Sequence, residues 1–79
     1  MKIQVYGPGC TKCFTMGRNV REAVARMGID AEIEEIHDIS VMVSKGIMMT
    51  PALGVDGKVL SSGKALTTEE IIEFIKKAL

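Results

Sequence analysis

Apolar and polar positions alternate from Lys2 to Tyr6, with Ile3 and Val5 on one side and Gln4 and Tyr6 on the other, which predicts a strand. Gly7-Pro8-Gly9 stops it, and Cys10 then stands at a strand-to-helix junction. From Cys13 the period changes: Met16, Val20, Ala23, Val24 and Met27 follow at spacings of three and four, a helical stripe that Gly28 ends. Asp30 to Ile36 returns to an imperfect alternation, Ala31 and Ile33 against Glu32 and Glu34, as expected of a half-exposed strand at a sheet edge. Asp38 can cap a short helix that exposes Ser40 and Ser44, buries Ile39, Met42 and Val43, and ends at Gly46. Pro51 opens Ala52 to Val55, Asp56-Gly57 follows, then Lys58 to Leu60. Asp-Gly between two apolar runs signals a hairpin, because both turn positions need positive φ. Thr67 and Glu70 form a capping box before a last helix whose Ile71, Ile72, Phe74, Ile75 and Ala78 share one side.

The predicted order is therefore βαβαββα, an α/β fold. A right-handed first crossover makes strands one and two parallel, the hairpin adds two antiparallel strands, and helices cover both faces. Seventy-nine residues provide for one domain, expected to span residues 1–79 and to act as a monomer. Ten basic and ten acidic residues give zero formal charge, which argues against nucleic-acid and anionic-membrane partners. No apolar run approaches the roughly 18 residues of a membrane span. The amino-terminal stretch lacks the apolar core of a secretion signal, so cytoplasmic residence is the expectation.

The chemistry is concentrated in Cys10-Thr11-Lys12-Cys13. Two cysteines this close enclose almost no loop, so their use is chemical more than structural. In a mixed sheet of this kind, sites collect at the carboxyl ends of strands, where Gly7 to Cys13 lies. A cysteine beginning a helix meets the positive end of the macrodipole and unpaired N–H groups, which favour thiolate, and Lys12 adds positive charge. Cys13, one turn on, falls on the buried stripe. Cys10 is thus expected to attack a disulfide and Cys13 to resolve the mixed disulfide. The alternative reading uses the same sulfurs to carry a soft metal, copper or zinc, with methionines as further donors. Met16, Met27 and Met42 suit the core, whereas Met48 and Met49, beside Pro51, suit an adaptable contact surface.

With the cysteine pair after a strand, and Thr50-Pro51 opening a later strand before a hairpin and last helix, the chain resembles the thioredoxin/glutaredoxin superfamily over essentially its full length. It looks most like the short thioredoxin-like redox-active disulfide proteins of archaea and some bacteria. The resemblance implies the minimal thioredoxin fold with sheet order 2-1-3-4. It implies a protein-disulfide reductase with no organic cofactor, serving disulfide-containing client proteins and recharged by an unidentified reductase. It also implies a cis Pro51 beside the sulfurs, with the backbone of Thr50, next to Met49, pairing with substrate as an added strand. Thr11, Lys12, Gly9 and Tyr6 are the supporting positions, Tyr6 standing where an aromatic ends the strand. The pattern also departs from the family's. Gly9 precedes the first cysteine, no tryptophan exists, and the buried acid that relays protons in thioredoxins is replaced by Gln4. The paired glycines and acidic residue by which glutaredoxins hold glutathione are replaced by Ser61-Ser62-Gly63-Lys64-Ala65.

Three lesser signals complete the reading. His37 reads as a surface or half-buried histidine. Arg18, Arg21 and Arg26, with Glu22 spaced to pair with the first and last, read as a solvated helix face. Glu34 and Glu35 are adjacent on a strand and so point to opposite faces, which prevents them from acting as a pair.

Overall fold

The computed structural model describes residues 1–79. Its elements are β1 (Lys2–Tyr6), α1 (Thr11–Met27), β2 (Glu32–Ile36), α2 (Ile39–Ser44), β3 (Ala52–Val55), β4 (Lys58–Ser62) and α3 (Thr68–Ala78). They form one four-stranded mixed sheet of order β2-β1-β3-β4, with β1 parallel to β2 and antiparallel to β3. This is the minimal thioredoxin fold, in the expected element order. The hairpin turn has positive φ at both Asp56 (51°) and Gly57 (86°), as the Asp-Gly signal requires. β4 runs two residues past the predicted Leu60, and a register irregularity opposite Leu53 and Gly54 absorbs the extra length.

Strand parity divides the core. Ile3, Val5, Leu53 and Val55 face α1 and α3, packing with Met16, Val20, Ala23, Leu66, Ile71 and Ile75. On the opposite face Tyr6 and Ala52 pack with Met42 of α2 and with Ile47. Removing such side chains from water, at about 25 cal/mol per Å² of apolar area, supplies most of the driving force for folding. α1 ends as its sequence indicates, with Gly28 left-handed at φ 63° and its N–H on Val24 and Ala25 carbonyls. α3 begins with the full capping box: Thr67 Oγ1 accepts from the Glu70 N–H at 3.2 Å, and Glu70 Oε1 accepts from the Thr67 N–H at 3.1 Å.

The burial expected of α2 fails, for a physical reason. Ile39 and Val43 of α2 do not enter the core; they are exposed, and only Met42 is buried. With two turns the helix has one face wide enough for a single anchoring side chain, so its flanking apolar residues border a surface cavity instead. The arginine face of α1 is solvated, as expected, and it also carries ion pairs to neighbouring elements. Arg26 bridges Glu22 and Glu69, Glu22 also accepts from the Thr68 hydroxyl, and Arg21 reaches Glu35, so the row ties α1 to α3 and to β2. Arg18, expected to share Glu22, makes no ion pair.

Candidate active site

The backbone sets the cysteine pair asymmetrically. Cys10 is the N-cap of α1, with extended φ −76° and ψ 166°, and its Sγ accepts a hydrogen bond from the Cys13 N–H at 3.3 Å. Gly9 precedes it at φ 101°, a conformation that costs a side-chain-bearing residue strain and so suits glycine. Cys10 is exposed, whereas Cys13 is 6% exposed and lies on the sheet side of α1. The two sulfurs are joined in a disulfide across a Cα–Cα distance of 5.1 Å.

Gly7 makes that arrangement possible. A Cβ at this position would overlap Cys13 Sγ and Cβ, so the end of β1 can approach the second cysteine only without a side chain. His37 braces the same loop, its Nδ1 lying 2.8 Å from the Gly7 carbonyl oxygen. Because a carbonyl only accepts, Nδ1 carries the hydrogen of this bond.

The other predicted site residues divide into those at the surface and those beneath it. Thr11 opens α1, its carbonyl accepting from the Thr15 hydroxyl, and Lys12 is exposed without an ion pair. Tyr6 is fully buried beside Ala52, its hydroxyl has no hydrogen-bond partner, and burial together with the Glu34 carboxylate raises its pKa above 10.0. It packs on the α2 face of the sheet with Met42, Ile47 and Ala52. Thr50–Pro51 is a cis peptide bond; Pro51 is buried and its carbonyl accepts from the Gly63 N–H at 3.0 Å. Neither the N–H nor the carbonyl of Thr50 is paired with another backbone group. Met49 is exposed and lies against Gly63, while Met48 is 93% exposed.

A feature not evident from the sequence is an apolar cavity of about 560 Å³ that brings Pro8 and Thr50 together with Ile39, Val43, Ile47 and Met48. The exposed Ile39 and Val43 of α2 thus form one wall of a groove beside the cysteine loop. Its advance signals were an amphipathic run too short to bury its whole apolar side and Met48, read from the sequence as part of a contact surface. Gln4 sits under the sheet with both amide atoms engaged: Oε1 accepts from the Gly57 N–H at 3.1 Å, and Nε2 donates to Glu34 at 3.2 Å.

A cysteine pair at the start of the helix that follows the first strand, in a β2-β1-β3-β4 sheet, defines a thioredoxin-like redox centre. The sequence matches the family model described as a thioredoxin domain over residues 1–76. It is similar to a thioredoxin of Methanothermobacter thermautotrophicus, 44% identical over 71 residues that cover 90% of this chain and 92% of the relative. A thioredoxin of Methanocaldococcus jannaschii is 36% identical over 77 residues, covering 98% of this chain and 88% of that one. The chain belongs to the thioredoxin-domain family, and its chemistry is that of a thiol-disulfide oxidoreductase with a redox-active Cys10–Cys13 disulfide. The soft-metal alternative is not favoured: both relatives are thioredoxins, and the two sulfurs it needs as ligands are bonded to each other.

Proposed function

We propose that the chain reduces disulfide bonds of client proteins, with Cys10 as the attacking sulfur and Cys13 as the resolving one. The asymmetry of the pair carries this reading. In the reduced protein an exposed Cys10 thiolate at the N-cap is stabilised by the macrodipole of a 17-residue helix and by the Cys13 N–H. Cys10 Sγ attacks a client sulfur, a mixed disulfide forms, and the other client sulfur leaves with the electron pair and takes a proton. Cys13 then attacks Cys10 Sγ, closing the Cys10–Cys13 bond and releasing the second client thiol. The cycle is restored by a reductase that returns two electrons and two protons, and no organic cofactor takes part.

Client binding follows from the surface around the pair. The unpaired backbone of Thr50 supports addition of an extended client segment as a strand, next to cis Pro51. The groove walled by Ile39, Val43 and Met48, together with Met49, offers polarizable apolar contacts suited to varied side chains. Thr11, Lys12, Gly9 and Tyr6 support the loop, the first two at its surface. We take the active form to be a single domain and a monomer working in the cytoplasm. No helix is long and apolar enough to cross a membrane.

The test uses both cysteine variants with a disulfide-bonded protein substrate such as insulin. Cys10→Ser abolishes reduction, whereas Cys13→Ser accumulates a covalent mixed disulfide visible by mass spectrometry. Equal trapping by both variants rejects the assigned roles.

A further inference from the structure

Resolution requires Cys13 to lose a proton while it is buried, and Gln4, which stands where thioredoxins hold an acid, can accept none. On the α1 side of the sheet there is a cavity of about 10 Å³ whose walls include Cys13, Glu35 and His37. The volume is close to the lower limit for one water molecule. Its remaining walls, Val5 and Phe14 among them, bring no titratable group. The Nδ1 of His37 donates to the Gly7 carbonyl, so a proton could reach this ring only at Nε2, which has no hydrogen-bond partner, and the test below includes its removal. Glu35 is differently placed: Oε1 accepts from Arg21 Nη1 at 3.2 Å, and Oε2 receives no hydrogen bond.

A second observation points to the same carboxylate. Gly17 lies four residues after Cys13, one turn along α1, and is buried in the middle of the helix, where glycine costs about 1 kcal/mol relative to alanine. A Cβ on Gly17 would stand 2.6 Å from Glu35 Oε1. The missing side chain is what lets the carboxylate lie against α1 on the turn next to Cys13.

We propose that Glu35 is the proton acceptor for Cys13, acting through one water in this cavity. The inference rests on the exchange reading above and names the group that reading leaves open. Once the mixed disulfide has formed, the Cys13 S–H gives its proton to the water, which passes one to Glu35 Oε2. The Cys13 thiolate attacks Cys10 Sγ, the Cys10–client S–S bond breaks, and the client sulfur departs with the electron pair. Glu35 then returns its proton to solvent through its exposed side. The charged and titratable groups around it are Arg21 and Cys13 from α1 and His37 beyond the end of its own strand; its β1 partner, Val5, is uncharged.

The sign of the effect separates a proton acceptor from a bystander. A carboxylate acting only through its field disfavours the Cys13 thiolate, so its removal speeds resolution. A carboxylate acting as acceptor slows resolution when removed. Reduced protein mixed rapidly with Ellman's reagent releases thionitrobenzoate in two phases, the first from Cys10 attack and the second from Cys13 resolution. Glu35→Gln is expected to leave the first phase within about twofold and to slow the second by about tenfold or more near neutrality, with its rate then rising in proportion to hydroxide. Gly17→Ala, which pushes the carboxylate away while favouring the helix, is expected to slow the second phase without lowering thermal stability, and Glu35→Asp to be intermediate. An unchanged or faster second phase in Glu35→Gln overturns the inference, as does slowing by His37→Gln alone. Loss of the two-phase pattern in the unsubstituted protein instead overturns the exchange reading.

Discussion

A single missing methyl group at Gly7 decides whether the cysteine loop can close against the sheet. The glycine hydrogen faces Cys13 Sγ and Cβ, atoms that cannot retreat, because Cys13 is fixed within the first turn of α1 and covered on its other side. Gly7→Ala must therefore displace the helix start or the end of β1. The expected outcome is a protein that still folds around its main core but loses stability by about 1–3 kcal/mol, the usual range for overpacking. Its disulfide should also form more slowly with oxidised dithiothreitol. Unchanged urea midpoint and oxidation rate would show that the loop has room the geometry denies it. The contrast with Gly17 is instructive, since there the neighbouring atom is the end of a flexible glutamate and can swing aside.

At the scale of elements, the layers are pinned by side chains whose charge depends on pH. The hydrogen bond from the Thr68 hydroxyl, and then Arg26, lower the Glu22 pKa below 4.5, which joins α1 to α3. Lys64, then the Thr67 N–H, lower that of Glu70, which fixes the start of α3. A carboxylate with a depressed folded-state pKa adds stability above its unfolded value, and that stability is lost as pH falls toward the folded value. Melting temperature is therefore expected to hold above about pH 5 and to decline below it, with a shallower decline in Glu22→Gln and Glu70→Gln. A slope identical to that of the unsubstituted protein would remove both groups from the account. The α3 cap and the strand alternation were legible in the sequence because each depends on neighbours within a few positions. The parity that separates Glu34 from Glu35 was equally legible, and Glu34 does turn toward Gln4 while Glu35 turns toward α1. The approach of Glu35 to the cavity at Cys13 was not, since it is set by the β1–β2 register and by the absence of a side chain on a third element. For α2 the periodicity of Ile39, Met42 and Val43 is real, yet only Met42 is buried. Periodicity reports which residues share a face, and only the neighbouring layer determines whether that face is core or groove wall.

For the molecule as a whole, the redox cycle requires two folded states, one with the Cys10–Cys13 bond and one without. A chain of 79 residues has roughly 4–12 kcal/mol of net stability at the usual per-residue values, so a cross-link worth a large part of that could not be opened in every turnover. The enclosed segment is short: the cysteines are three positions apart, and a loop of that size constrains the unfolded chain by only about 2 kcal/mol in the chain-entropy estimate. The layers themselves come from contacts distant in sequence, β1 with β2 and β3 and α1 with α3, none of which passes through the sulfurs. Reduction should accordingly leave the sheet and helices intact. Urea unfolding followed by circular dichroism, with and without excess reductant, is expected to give two cooperative curves of equal slope, the reduced protein being less stable by no more than about 2 kcal/mol. A reduced chain that is unfolded without urea would mean that the disulfide is a structural staple, and a protein that unfolds whenever it delivers its electrons could not serve as the exchange catalyst described above.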